Sequence, residues 1–164
     1  MQEEIHPESG LVKSVWTDDD FESMGWHDAT VHALCVQPGE GVLPRLVLDL
    51  DYIVRWVHPV PPAVYFSFWV APVTLVFDEV WDLAGDLDFR ARSLCLEIAD
   101  LHRETPDGVS RGFSFWRIEG HAFELKFYAP GFRQYFRRAP ALVPGQVLSH
   151  AERGGCSFAE AGFH

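Results

Sequence analysis

The sequence predicts a mainly β fold: an antiparallel sandwich or strongly curved sheet of about six or seven strands with a short N-terminal helix. Two observations carry this. The long apolar segments Arg45 to Val57 and Val64 to Val80 read as strands, and Pro/Gly-rich turn signals separate further alternating segments on either side of them.

In the first long segment Leu46, Leu48, Leu50, Tyr52, Val54 and Trp56 share one parity, and Val47, Asp49, Asp51, Ile53, Arg55 and Val57 share the other. Side chains alternate across a strand, so the first set faces a core and any chemistry on this strand belongs to the second set. Upstream, Thr17 and Asp20 have capping-box spacing and Trp16 can staple onto Phe21, which predicts a helix from Asp18 to Met24 with Gly25 at its C-cap. Asp18, Asp19 and Asp20 then sit in the first turn, where the helix dipole favours negative charge; the spacing is not that of a calcium loop. A strand from Asp28 to Gln37 follows and returns through Pro38-Gly39-Glu40-Gly41 into the long strand. Pro72 cannot donate to a ladder and is expected at a bulge or an edge, with a bend there.

Residues 86–104 fit either a strand (Leu94, Leu96, Ile98) or a helix face (Leu94, Ile98, Leu101), and strand is favoured. Phe113 to Tyr128 reads as a hairpin. A Gly120-His121 turn sets Ile118 opposite Phe123, Trp116 opposite Leu125 and Arg117 opposite Glu124. Phe132 to Arg138 is a helical turn or an edge segment. Residues 1–14 read as a flexible lead-in, 15–139 as one β-rich domain, and 140–164, rich in Pro, Gly and small residues, as a poorly ordered tail.

The 164 residues are 48% hydrophobic and 14% aromatic, enough for one domain with a sizeable core. Twenty-four acidic against thirteen basic side chains give a net charge of −11, which repels phosphate backbones and argues against nucleic-acid binding. The same charge favours encounter with a basic protein. No apolar run is long enough to span a bilayer, and Met1 to Ser9 is too polar for a signal peptide, so the expected compartment is the cytoplasm. Cys35, Cys95 and Cys156 are odd in number and widely spaced, which indicates neither a disulfide framework nor a zinc cluster.

The sharpest constellation is Trp26-His27-Asp28 with Asp49 and Asp51. The two aspartates leave one strand face about 7 Å apart along the backbone. If the first hairpin brings His27 or His32 near them, then His27, Asp28, His32, Asp49 and Asp51 are the candidate ligands of a divalent metal, and a metal-dependent hydrolase becomes the alternative function. The competing expectation is that the aspartates pair with Arg55 or another arginine across the sheet. No serine lies in a nucleophile-elbow context, Cys35 has no nearby base in the sequence, and no phosphate-binding glycine loop occurs. Aromatic strand residues such as Phe66, Phe68, Trp69, Trp81, Trp116 and Tyr128 are expected mainly in the core, with an apolar small-ligand cavity as a third reading.

Gly25-Trp26-His27-Asp28, Leu48 to Ile53, Phe68 to Phe77 and Gly131-Phe132-Arg133-Gln134 form an ordered set that resembles small uncharacterised bacterial proteins. The likeness runs from about residue 24 to 138 and implies no activity, cofactor or catalytic residue. By analogy of class and charge, it suggests an immunity-type protein that masks a basic partner. The leading expectation is therefore a non-enzymatic interaction protein, with homo-oligomerisation left open.

Overall fold

The computed structural model describes residues 6–88, 90 and 96–164. Its strands are β1 (Val15–Thr17), β2 (Thr30–Gln37), β3 (Arg45–Val57), β4 (Ser67–Phe77), β5 (Trp81–Leu87), β6 (Leu96–Glu104), β7 (Ser114–Gly120), β8 (Phe123–Ala129), β9 (Phe132–Phe136) and β10 (Ala141–Val143). They form one antiparallel sheet in the order β1-β9-β4-β3-β2-β6-β7-β8-β5, with β10 paired to β4 beside β9. The class is as expected. The ten strands exceed six or seven because β1, β9 and β10 are too short to show a period in the sequence.

The sheet bends where β2 meets β6. Among the described residues Thr30↔Glu97 and Val31↔Leu96 pair there, and the two halves pack against each other. Leu48, Leu50, Leu75 and Phe77 from one half share a core with Trp116, Ile118, Leu125 and Phe127 from the other. The Phe77 ring lies 5.3 Å from Trp116 and 4.7 Å from Phe127. Trp26 plugs the same core, its indole N–H donating to Gln134 at 2.9 Å.

Several local expectations change. The N-terminal helix is a 3₁₀ helix, Asp18–Ser23, with the Asp20 carboxylate accepting from Thr17 N–H as the capping box requires. Its cap is Met24 in extended geometry, not Gly25. Phe21 stacks on Trp26, while Trp16 meets Phe136. Pro72 sits inside an unbroken β3–β4 register, and the bulge falls between Ile53 and Arg55. A residue's N–H and C=O leave a strand on the same side. The Pro72 carbonyl accepts from Arg137 N–H just beyond the last β4–β9 pair, so the bond that its missing N–H cannot return falls where β9 ends and β10 has not begun.

The β7–β8 hairpin is shifted by two residues: Ile118 pairs with Leu125, Trp116 with Phe127 and Arg117 with Lys126. A shift of two keeps every side chain on its face. The Phe123 ring occupies the space above Gly120, where a Cβ would lie 2.2 Å from it, and this fit selects the register. Arg117 still reaches Glu124 diagonally at 3.5 Å. Within 86–104, β6 begins at Leu96, and residues 91–95 lie outside the described chain. Phe132–Phe136 is neither helical nor an edge, since β9 runs between β1 and β4.

The largest correction concerns residues 140–164. This segment supplies β10, a four-residue helix α1 (His150–Arg153) and an extended run to Phe163, whose N–H donates to Phe136 C=O. It covers the outer face of β3 and β4, where Leu148 and Val143 pack on Ile53, Phe68 and Val70. Its attachment is mostly polar, so it has no apolar period that a sequence reading can detect. At the other end of the chain Leu11 is buried and the His6 ring lies 5.2 Å from Trp69. Truncation after residue 139 should strip both a charged anchor and an apolar patch from β3 and β4. Its expected outcome is a large fall in Tm or loss of cooperative unfolding, measured by circular dichroism; an unchanged Tm would return this segment to the status of a tail.

Candidate functional site

Asp49 and Asp51 leave β3 on one face, as their parity requires, but both are fully buried beneath the C-terminal segment. Arg153 donates from Nη1 and Nη2 to the two Asp49 oxygens at 2.9 and 2.7 Å, and from Nε to Asp51 Oδ1 at 3.2 Å. Arg137 Nη2 adds a bond to Asp49 Oδ1 at 2.7 Å, while its Nη1 donates to Thr74. Ser157 N–H donates to Asp49 Oδ2 at 3.0 Å and Leu148 N–H to Asp51 Oδ2 at 2.9 Å. His32 Nε2 lies 2.7 Å from Asp51 Oδ2. A bulge between Val31 and Ala33 leaves His32 outside the β2–β3 register and turns its ring toward Asp51.

Every oxygen of the two carboxylates therefore has a protein partner, and two guanidiniums balance two carboxylates. This is the arginine pairing weighed against the metal reading, with Arg153 and Arg137 in place of Arg55. Arg55 instead donates to Glu8 C=O. Burial alone would raise the Asp49 carboxyl; the bonds from Arg153 and Arg137 outweigh it and hold the group below its ordinary 3.8. Gly154 and Gly155, at φ of 74° and 78°, turn the chain sharply after α1, and the Arg153 guanidinium also donates to Gly155 C=O.

His27 and Asp28 belong to another place. Trp26 C=O accepts from Ala29 N–H, closing a turn in which Asp28 has φ of 65°, a conformation Asp tolerates better than most residues. With Trp26 anchored in the core, His27 and Asp28 are held at the rim of the β2–β6 seam. There Asp28, Glu97 from β6 and His121 from the β7–β8 turn bring one ligand atom each within 4.8 Å of one another. Burial and the neighbouring Asp28 push the Glu97 carboxyl above its ordinary value. Of the five residues singled out from the sequence, His32, Asp49 and Asp51 thus meet under the C-terminal segment, and His27 and Asp28 meet at the seam. Glu97 and His121 escaped notice because they are distant in sequence and carry no spacing signature.

The seam adjoins an aromatic projection. The His27 ring stacks on Trp56 at 6.4 Å with planes 16° apart, and Trp56 in turn contacts Phe66 and Phe68 edge-on at 6.0 and 5.0 Å. Beyond β3 and β4 the connecting loop exposes Val60, Val64 and Tyr65, the last at 85%. Asp28, Asp100 and Glu97 all act electrostatically on His27, so the platform has an acidic margin. By contrast Phe68, Trp69 and Trp116 are core residues, and Trp81 stacks on Tyr128 at 4.3 Å. A cleft of about 910 Å³ beside the β2–β3 turn has a mixed lining, with Pro38, Val42 and Leu43 beside the charged Arg45, Asp78, Arg133 and Glu160.

Comparison with protein-family models, curated proteins and solved structures gives no match. Among the described residues no helix is long and apolar enough to cross a membrane.

Removing one member of a buried ion pair strands the others and costs about 3–5 kcal/mol. Arg153→Met should therefore destabilise the fold by that order in urea unfolding, and Asp49→Asn should release part of the penalty when combined with it. The pH dependence follows from the sign of the shift. Because the folded Asp49 carboxyl lies below 3.8, its contribution is complete above that pH and is lost as pH falls through the lower folded value. Acid unfolding of Asp49→Asn should lack this component.

Proposed function

We propose that this protein is a non-enzymatic interaction module that binds a basic partner through the projecting end of the β3–β4 hairpin. The observation that carries the reading is the cluster of Trp56, Val60, Val64, Tyr65 and Phe66, solvent-facing and bordered by Asp28, Glu97 and Asp100. Contiguous exposed apolar groups rimmed by polar ones mark contact surfaces, and aromatic anchors dominate the binding energy of such surfaces. A net charge of −11 raises the rate of encounter with a cationic protein and opposes pairing with a second copy of the same chain. An immunity-type role, in which this face masks a basic toxin, is one form such an activity would take. The buried Asp49 and Asp51 support a structural role and not a hydrolytic one, since Arg153 and Arg137 occupy the positions a metal would need.

A photo-reactive residue placed at Tyr65 should give adducts with a cationic protein from a cell extract, and these should fade as salt is raised because screening shortens the reach of the acidic margin. The same residue placed at Val42, exposed in the β2–β3 turn, should give none. Trp56→Ala should weaken the captured complex about tenfold or more. Equal labelling from both positions, or adducts consisting only of a second copy of this chain, would overturn the assignment.

A further inference from the structure

We propose that Asp28, Glu97 and His121 form a binding site for a divalent transition-metal ion of the zinc class at the β2–β6 seam. The donor set is two carboxylates and one imidazole, the mixture that borderline ions such as zinc accept and that calcium, which takes oxygen ligands, does not favour. With metal–ligand bonds of about 2.1 Å, two ligand atoms of a tetrahedral site stand about 3.4 Å apart. His121 Nε2 and Glu97 Oε1 are 3.4 Å apart, and all three donor atoms fall within 4.8 Å of one another, so a small inward movement of side chains closes the set around one ion.

The backbones that carry these ligands are tied directly to each other. Asp28 N–H donates to Ile98 C=O at 2.9 Å, Ile98 N–H donates to Ala29 C=O at 2.8 Å, and His121 N–H donates to Glu97 C=O at 3.1 Å. Three segments distant in the chain are thereby held in one frame before any ion arrives, which lowers the ordering cost of binding. An outer layer orients the donors as well. Gln146, reaching over from the C-terminal segment, donates from Nε2 to Asp28 Oδ2 at 3.0 Å, and His27 Nε2 stands 3.5 Å from Asp28 Oδ1. His121 has a 59% exposed side chain, so the site opens to solvent and an ion has a direct path in.

Three protein ligands leave one tetrahedral position for water or for a group from outside, and among the described residues the β2–β6 seam is the strand pairing that joins the two halves of the sheet. An ion here bridges β6, the β7–β8 turn and the turn before β2, and it clips the halves together. The site adjoins the Trp56 and Tyr65 projection, because Asp28 and Glu97 also belong to its acidic margin, but its existence does not depend on that surface binding a protein.

The test is calorimetric titration of the purified full chain with zinc chloride, in parallel with Glu97→Gln and His121→Ala. The expected result is one equivalent of zinc bound by the parent chain, a rise in its Tm on loading, and at least tenfold weaker binding in each variant with an unchanged circular dichroism spectrum. His121 is exposed, so its replacement leaves the fold intact, and Trp56→Ala should bind zinc as the parent does. Absence of zinc binding by the parent, or equal affinity in the parent and His121→Ala, would overturn the proposal.

Discussion

The four-charge cluster beneath the C-terminal segment is the interaction on which the rest of the structure depends. Asp49 and Asp51 point outward from the middle of β3, and without Arg153 and Arg137 they would present two carboxylates on a face shared with Val47, Ile53, Val70, Pro72, Thr74 and Val76. Burying a lone carboxylate costs several kcal/mol, so this face is closed only when the guanidiniums arrive together with Ser157 and Leu148 N–H. The anchor acts together with the β10–β4 pairing and the apolar contacts of Leu148 and Val143 in fixing residues 140–164 to the sheet. The cluster also sets the register of the covering segment, because a bidentate guanidinium tolerates little sliding.

That coverage explains the layout of the molecule. β3 and β4 are buried on both faces, with the aromatic core on the inside and the charged anchor and its small apolar patch on the outside. Two surface features lie beside this pair: the seam where β2 meets β6, and the loop that closes β3 and β4. The two features touch through His27, which stacks on Trp56 and stands beside Asp28. Loading a cation at the seam would therefore alter the charge at the margin of the aromatic projection, and the two proposed activities share a border even though each can be tested alone.

Polar side chains that sequence patterns treat as site candidates are here divided by depth. Fully buried Asp49 and Asp51 are saturated by arginine and main-chain donors, so they build structure. Asp28, only partly buried and fixed by its turn, meets another carboxylate and an imidazole at the surface, so it is available for chemistry. His32, set out of register by a β-bulge, adds its ring to Asp51 and so belongs to the buried group.

From the sequence alone one could determine the antiparallel β class, the full extent of β3 from Arg45 to Val57, the inward parity of Leu46, Leu48, Leu50 and Tyr52, and the shared face of Asp49 and Asp51. Those properties are local, because side-chain alternation and turn chemistry act over a few residues. Only the tertiary structure decided that Arg153 would neutralise residues a hundred positions away, that Glu97 and His121 would join Asp28, and that Pro72 would fall at the gap between β9 and β10. The β7–β8 register likewise turned on the fit of Phe123 over Gly120. In each case the outcome depends on shape and charge brought together across the fold by long-range pairing, and no period or spacing along the chain encodes it.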